Sequence, residues 1–115
     1  MSCRYAEKEV FKQGWMTKKG NHVKNWKRRF FVLSKKELKY FVNDMAFKAK
    51  GVVLIKEVKA VQLSTDARAP NFSFELVTPS RTYVFSCESQ QDVESWMEQL
   101  EARRNALAAN SSAHF

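Results

Sequence analysis

The stretch GWMTKKGNHVKNWKRRFFVL, residues 14–33, places a cluster of positive charge between two apolar segments. Within a dozen residues it contains six cations: Lys18, Lys19, Lys24, Lys27, Arg28 and Arg29. No acidic residue occurs between Glu9 and Glu37 to compensate them. Because like charges repel, a fold that keeps these side chains together is expected to use them on a polyanionic partner.

Outside this stretch the chain has the pattern of a series of short strands. Alternating or continuous apolar residues predict strands at 10–19, 26–34, 38–43, 52–55, 58–63, 72–76 and 82–87. Short turns, such as those at 35–36 and 78–81, separate several of them. This number of short strands is typical of a small sandwich or a partly open barrel.

After the last predicted strand the apolar period changes to that of a helix. One apolar face is formed by Val93, Trp96, Met97, Leu100 and Leu107. Ser89 is placed to cap this helix, with Asp92 three residues later. We therefore predict a mainly β domain with one α-helix, in which a seven-stranded, strongly bent antiparallel sandwich or partly open barrel is capped by a C-terminal amphipathic helix. The domain is expected to span 10–107, with an N-terminal extension at 1–9 and a flexible tail at 108–115.

The composition excludes several classes of function. The chain has 115 residues, a net charge of +8, two cysteines and two histidines, which predicts one basic domain without a disulfide framework or a metal site. Neither a signal peptide nor a transmembrane segment is expected. Because there is no nucleophile elbow and no glycine-rich phosphate loop, we expect a non-enzyme without a cofactor. The isolated domain is expected to be monomeric.

Strand alternation brings part of the basic cluster together. Lys27 and Arg29 lie on the same face of the second predicted strand, and Lys18 ends the first strand opposite the start of the second. These cations can therefore converge at the mouth of the hairpin, where Tyr40 of the third strand can add a hydroxyl. Because Arg offers a planar fork and Lys a mobile point charge, the group suits a ligand with several phosphates and ring hydroxyls.

The same residues resemble those of a pleckstrin homology (PH) domain. The resemblance rests on GWMTK at 14–18, WKRRFFVL at 26–33, Tyr40 and Trp96 in the terminal helix, and it extends over about 11–107. Lys18, Lys27 and Arg29 have the spacing Lys-x8-Lys-x-Arg, and Tyr40 follows them. This spacing is similar to that of the PH-domain subgroup that recognises 3-phosphorylated inositol lipids, of which the cytohesin-type exchange factors are an example.

This resemblance implies roles for individual residues. Lys18 and Arg29 would hold the 3- and 4-phosphates, with Lys27 as a further cation, while Tyr40 would assist at the 4-phosphate and Lys50 would assist before the fourth strand. Cytohesin-type domains carry an extra hairpin between the sixth and seventh strands that embraces the 5-phosphate. Here only residues 78–81 join those strands. We therefore expect binding of phosphatidylinositol 3,4,5-trisphosphate and of the 3,4-bisphosphate.

The other members of the basic stretch are expected to contact the membrane without specificity: Lys19, His22, Val23, Lys24 and Arg28. The resemblance thus implies a peripheral membrane module in signal transduction, which recruits its parent protein reversibly from the cytoplasm to phosphoinositides in the cytosolic leaflet of plasma or endosomal membranes. The alternative is a protein–protein interaction domain with only weak, nonspecific binding of anionic lipid. No nucleic-acid partner is expected, because most aromatic residues alternate onto core faces and are unavailable for base stacking.

Overall fold

The computed structural model describes residues 9–21 and 25–112, with the side chains of 110–112 left out of the description. Its strands are β1 (Val10–Lys19), β2 (Trp26–Ser34), β3 (Glu37–Phe41), β4 (Gly51–Leu54), β5 (Ala60–Leu63), β6 (Ser73–Val77) and β7 (Thr82–Ser86). All seven form one antiparallel sheet in the order β4-β3-β2-β1-β7-β6-β5, followed by helix α1 (Gln90–Ser112). The predicted fold class is confirmed, and the sheet is not closed, because β4 and β5 stand at the two ends of this order.

The core lies on the concave face of the sheet and is closed by the helix. Phe31 is fully buried at its centre, with ring centroids 5.1 Å from Phe85 and 6.4 Å from Trp96, both in edge-to-face geometry. The helix contributes Val93, Trp96 and Leu100, which are at most 2% exposed. The predicted apolar face of the helix is therefore the face that packs on the sheet.

Hydrogen bonds fix both the start and the middle of α1. The backbone N–H of Asp92 donates to Ser89 Oγ at 3.1 Å, which confirms the predicted N-cap. Arg104 donates from Nε to the carbonyl of Val58 at 2.9 Å and from Nη2 to that of Lys59 at 2.6 Å. Since these carbonyls precede β5, the helix is held to the chain segment between β4 and β5.

The helix is longer than the sequence pattern predicts. Of the predicted tail at 108–115, residues 108–112 belong to α1, which continues to Ser112; the flexibility of the tail stays a prediction. Ala108 and Ala109 extend the helix, since alanine has the highest helix propensity although it adds nothing to an apolar stripe. Residues 113–115 lie outside the described part of the chain.

Two strand boundaries differ from the prediction by two residues, and several others differ by one. A 3₁₀ turn at Ile55–Glu57 follows β4, and β5 begins only at Ala60 rather than at residue 58. Strand β3 ends at Phe41, so Val42 leaves the sheet and is 47% exposed. The backbone N–H of Lys50 donates to the carbonyl of Tyr40 at 2.7 Å and closes the β3–β4 pair at that point.

A second apolar cluster lies on the outer face of β1–β3. Its buried residues are Phe30, Val32 and Phe41, and residues packed against them include Trp15, Ala46 and Ala49. The loop at 42–50 therefore covers part of this face. Because β1 and β3 are both antiparallel to β2, and β7 begins beyond the end of β1, the connections at 20–25, 42–50 and 78–81 leave the sheet at the same end. We call this the loop end.

Candidate functional site

The concave face changes from apolar to cationic toward the loop end. In the β1–β2 register Met16 lies opposite Arg29, and Lys18 lies opposite Lys27. Met16 and Phe31 are the last buried apolar side chains on this face of their strands, and the next inward positions carry the three cations. The alternation that builds the core therefore also points Lys18, Lys27 and Arg29 into the mouth of the sheet.

These cations line a cavity of about 360 Å³ at the loop end. Its described lining consists of Lys18, Gly20, Asn21, Asn25, Lys27, Arg29, Tyr40, Lys50 and Arg81. All five residues predicted as ligands are thus brought together. None of the described residues that line the cavity is acidic, so its positive charge is not compensated locally.

Tyr40 forms one wall of the cavity, and Gly51 makes its position possible. The two residues are cross-strand partners between β3 and β4. A Cβ atom at Gly51 would overlap the hydroxyl and ring of Tyr40. The ring also receives Lys18, whose Nζ lies 4.9 Å from the ring centroid. Burial, and then the neighbouring Tyr83, raise the pKa of Tyr40, so its hydroxyl keeps a proton that it can donate.

Lys18 is partly buried among the other cations of the cavity. Its pKa is lowered first by burial and then by the positive charges of Arg81, Arg29 and Lys27. Both causes disfavour the charged form, because an ammonium group loses water and meets like charges. An anion bound among these side chains would remove the repulsion. The cavity is therefore electrostatically arranged for a ligand with several negative charges.

Arg81 is a cavity residue that was not among the predicted ligands. It ends the tight turn between β6 and β7, in which the Thr78 N–H donates to the Arg81 carbonyl at 2.9 Å. Its guanidinium carbon lies 4.1 Å from the ring centroid of Tyr83, and its buried Nε has no hydrogen-bond partner among the described residues. Arg81 lies two residues before Tyr83 and four before Phe85, so strand alternation places its side chain on the same inward face. This spacing is the sequence signal that could have identified it.

Two of the residues expected to contact the membrane without specificity lie on the opposite face of the hairpin. Lys19 pairs with Asp66 at 2.5 Å, and this hydrogen-bonded ion pair is the largest cause of the lowered pKa of Asp66. The guanidinium carbon of Arg28 lies 4.3 Å from the ring centroid of Trp15, and its side chain is 58% exposed. The positive charge of Lys19 is thus partly compensated. Arg28 also has an acidic neighbour, Glu88 at 3.9 Å, but it remains accessible. His22, Val23 and Lys24 lie outside the described residues.

Among the described residues there is no group of three or more His, Cys, Asp and Glu side chains that could hold a metal ion. None of the described helices is both long enough and apolar enough to cross a membrane. Cys87 is buried, and burial is the main cause that raises its pKa to about 12.

Comparison with known proteins identifies similar sequences and folds. Residues 10–104 match the family described as "PH domain". The mouse protein named dual adapter for phosphotyrosine and 3-phosphotyrosine and 3-phosphoinositide is 35% identical over 86 residues, which cover 75% of this chain and 30% of that protein. Pleckstrin homology domain-containing protein 1 of Arabidopsis thaliana is 31% identical over 91 residues, covering 75% and 63%. The chain thus spans less than two thirds of either relative.

The fold is also found among solved structures. The solution structure of the PH domain of human pleckstrin homology domain-containing protein family A member 5 superposes with a TM-score of 0.69 at 28% identity. The superposition covers 83% of this chain and 77% of the other. The sheet order and the terminal helix described above therefore correspond to an established architecture.

Proposed function

Because the chain belongs to the PH domain family, we propose that its cationic cavity binds the polyphosphorylated headgroup of a phosphoinositide and recruits the parent protein to a membrane. The observation that carries this proposal is the convergence of five cations on one cavity without an acidic lining residue in the described chain: Lys18, Lys27, Arg29, Lys50 and Arg81. A 3-phosphoinositide is the ligand class we favour. The name of the 35% identical mouse relative, which includes 3-phosphoinositide, supports this choice.

The individual roles follow from side-chain chemistry and position. Arg29 presents a planar fork that can hold one phosphate with two hydrogen bonds, and Lys18 adds a point charge beside it. Tyr40 donates its hydroxyl from the β3 wall. In our proposal Lys18 and Arg29 hold the 3- and 4-phosphates. Arg81 stands on the β6–β7 turn, on the side where cytohesin-type domains carry their extra hairpin, and we assign it to the 5-phosphate.

Magnitudes distinguish specific capture from general attraction. Each cation near an anionic leaflet contributes about 1 kcal/mol, so the five cavity cations give at most about 5 kcal/mol, a Kd of roughly 200 μM. Charge-assisted hydrogen bonds contribute about 1.5–3 kcal/mol each, and a few of them bring a single headgroup to a submicromolar Kd. The first contribution is screened by salt and the second much less so.

Calorimetry with soluble headgroups tests the proposal. We expect inositol 1,3,4,5-tetrakisphosphate and inositol 1,3,4-trisphosphate to bind with Kd values within about a hundredfold of each other, and inositol 1,4,5-trisphosphate to bind more weakly than either. Arg81→Ala is expected to weaken the tetrakisphosphate more than the 1,3,4-trisphosphate. Equal, salt-sensitive and weak binding of all three ligands would show that the cavity attracts anions without recognising a headgroup.

The same proposal makes the chain a binding module and not an enzyme, and it favours lipid over nucleic acid. A competition between phosphoinositide vesicles and an oligonucleotide at physiological salt distinguishes the last two partners. We expect the vesicles to retain the protein while the oligonucleotide is titrated. Displacement by the oligonucleotide at comparable concentration would favour a nucleic-acid partner instead.

Binding of a protein partner is the second candidate function, and one observation favours it. A cavity of about 500 Å³ lies at the end of the sheet opposite the loop end, and its lining includes Leu54, Leu107 and Lys56. This surface would remain accessible while the loop end contacts a membrane. Capture of a partner that persists in Arg29→Ala and is lost in Leu107→Glu would support this function.

A further inference from the structure

The cavity of about 500 Å³ opposite the loop end combines apolar and charged side chains. Its described lining consists of Lys36, Glu37, Leu54, Lys56 and Leu107. These residues come from the β2–β3 turn and the start of β3, the end of β4, the 3₁₀ turn after it, and α1. We call this surface the turn-end groove. Its described lining shares no residue with that of the cationic cavity, so headgroup binding does not use it.

The apolar part of the groove continues the helix face that packs on the core. Leu107 lies seven residues after Leu100, so the two side chains are on the same side of α1. Leu100 is 1% exposed, whereas Leu107 is only partly buried against the core. Leu54, the last residue of β4, is also partly exposed and lines the same cavity. The core therefore leaves apolar surface incompletely covered at this end of the sheet.

Hydrogen bonds hold the walls of the groove in place. The carbonyl of Lys36 accepts from the N–H of Ile55 at 3.0 Å, which joins the β2–β3 turn to the segment after β4. The carbonyl of Lys35 accepts from Arg103 Nε at 3.2 Å, which joins the same turn to α1. A surface whose walls are already fixed loses little conformational freedom when a partner binds.

The rim of the groove carries positive charge. Lys36 and Lys56 are exposed, and neither forms an ion pair with another described residue. Glu37, the acidic member of the described lining, is compensated by Lys39 at 3.6 Å. Glu57 follows Lys56 and is exposed, but it is not part of the described lining. An apolar floor with a positive rim is complementary to a segment that carries carboxylates beside apolar side chains.

We infer that the turn-end groove binds a short segment of a partner protein in which acidic residues flank large apolar side chains. This inference deepens the second candidate function and rests on it, and it is independent of headgroup binding. The apolar side chains of the partner cover Leu54 and Leu107, while its carboxylates meet Lys36 and Lys56. Because the groove and the cationic cavity lie at opposite ends of the sheet, one domain can hold a headgroup and this segment together.

Two synthetic peptides test this chemistry through the amide chemical shifts of the isotope-labelled protein. Both have two leucines at the centre, flanked by glutamates in one peptide and by lysines in the other. We expect the glutamate peptide to bind about fivefold more tightly, to shift the groove residues most, and to keep its affinity in Arg29→Ala. Displacement of this peptide by inositol 1,3,4,5-tetrakisphosphate, with shifts at the loop end, would overturn the inference, because the peptide would then occupy the cationic cavity.

Charge reversal distinguishes recognition at the groove from general attraction. In Lys36→Glu/Lys56→Glu the preference should reverse, so that the lysine peptide binds more tightly. The control Lys48→Glu/Arg68→Glu reverses two exposed cations outside the described lining, and it should retain the preference for the glutamate peptide. All four side chains are exposed, so both variants test the groove without disturbing the core.

The outcomes separate this inference from the function on which it rests. The same preference in wild type and Lys36→Glu/Lys56→Glu, or binding of neither peptide to wild type, would overturn the acidic segment as the occupant. The second candidate function would then still rest on capture of a partner that is lost in Leu107→Glu. Self-association of wild type that disappears in Leu107→Glu would overturn the inference by assigning the groove to a second copy of the chain. Failure of both the peptides and that capture would overturn both.

Discussion

Replacing Arg29 with alanine isolates the specific part of ligand binding, and its neighbour Arg28 provides a matched control. Each substitution lowers the net charge from +8 to +7. Arg29 points into the cavity, whereas Arg28 stacks on Trp15 on the opposite face of β2. General attraction to an anion would be reduced equally by the two changes. A specific contact would be lost only with Arg29.

The expected magnitude follows from the contacts. A guanidinium that holds one phosphate with two charge-assisted hydrogen bonds contributes about 3 kcal/mol or more, which is at least a hundredfold in Kd. Among the described residues, Arg29 Nη1 donates to the carbonyl of Arg28 at 3.0 Å, in a bond exposed to solvent. Losing that bond should change the free energy of unfolding by less than about 0.5 kcal/mol.

Calorimetry with inositol 1,3,4,5-tetrakisphosphate, combined with thermal unfolding, measures both quantities. We expect Arg29→Ala to lose at least about a hundredfold in affinity, and Arg28→Ala to remain within about threefold of wild type. Equal losses in the two variants would refute the assignment of Arg29 and reduce the cavity to a region of general positive potential. A large fall in Tm for Arg29→Ala would show that the residue supports the fold.

Three further predictions concern the walls and the core of the site. Gly51→Ala should displace the ring of Tyr40 and weaken headgroup binding by about 1–2 kcal/mol, and combining it with Tyr40→Phe should add little, as a double-mutant cycle by calorimetry would show. Lys18→Met should raise the Tm of the ligand-free protein, because it removes a cation whose pKa is lowered by burial and by like charges; a lower Tm would contradict this. Burial raises the pKa of Cys87 from 9.0 to about 12, so the folded state keeps a proton that the unfolded state releases. Its contribution to stability is therefore present below pH 9.0 and lost as pH rises through about 12, and Cys87→Ala should show a flatter dependence of the free energy of unfolding on pH over this range.

Local periodicity was sufficient to predict most of the architecture. Alternation along the strands identified which side chains share a face, and the change of period after residue 88 located the helix and its Ser89 cap. The same alternation indicated that Lys18, Lys27 and Arg29 converge. These properties depend on residues two to four positions apart, so the sequence expresses them directly.

Contacts between distant parts of the chain were not predictable in the same way. Arg81 reaches the cavity only because β7 pairs with β1, and Lys19 is compensated only because Asp66 lies within reach of it. The length of α1 likewise escaped the apolar pattern, since alanine extends a helix without marking a face.

The sequence by itself therefore determined the number and kind of elements and the inner face of the basic hairpin. Only the tertiary structure decided that Arg81 shares the cavity with the predicted cations, and that Lys19 and Arg28 have acidic partners elsewhere. The physical reason is that local pattern fixes where each side chain points relative to its own strand. The order and curvature of the sheet fix what it meets there.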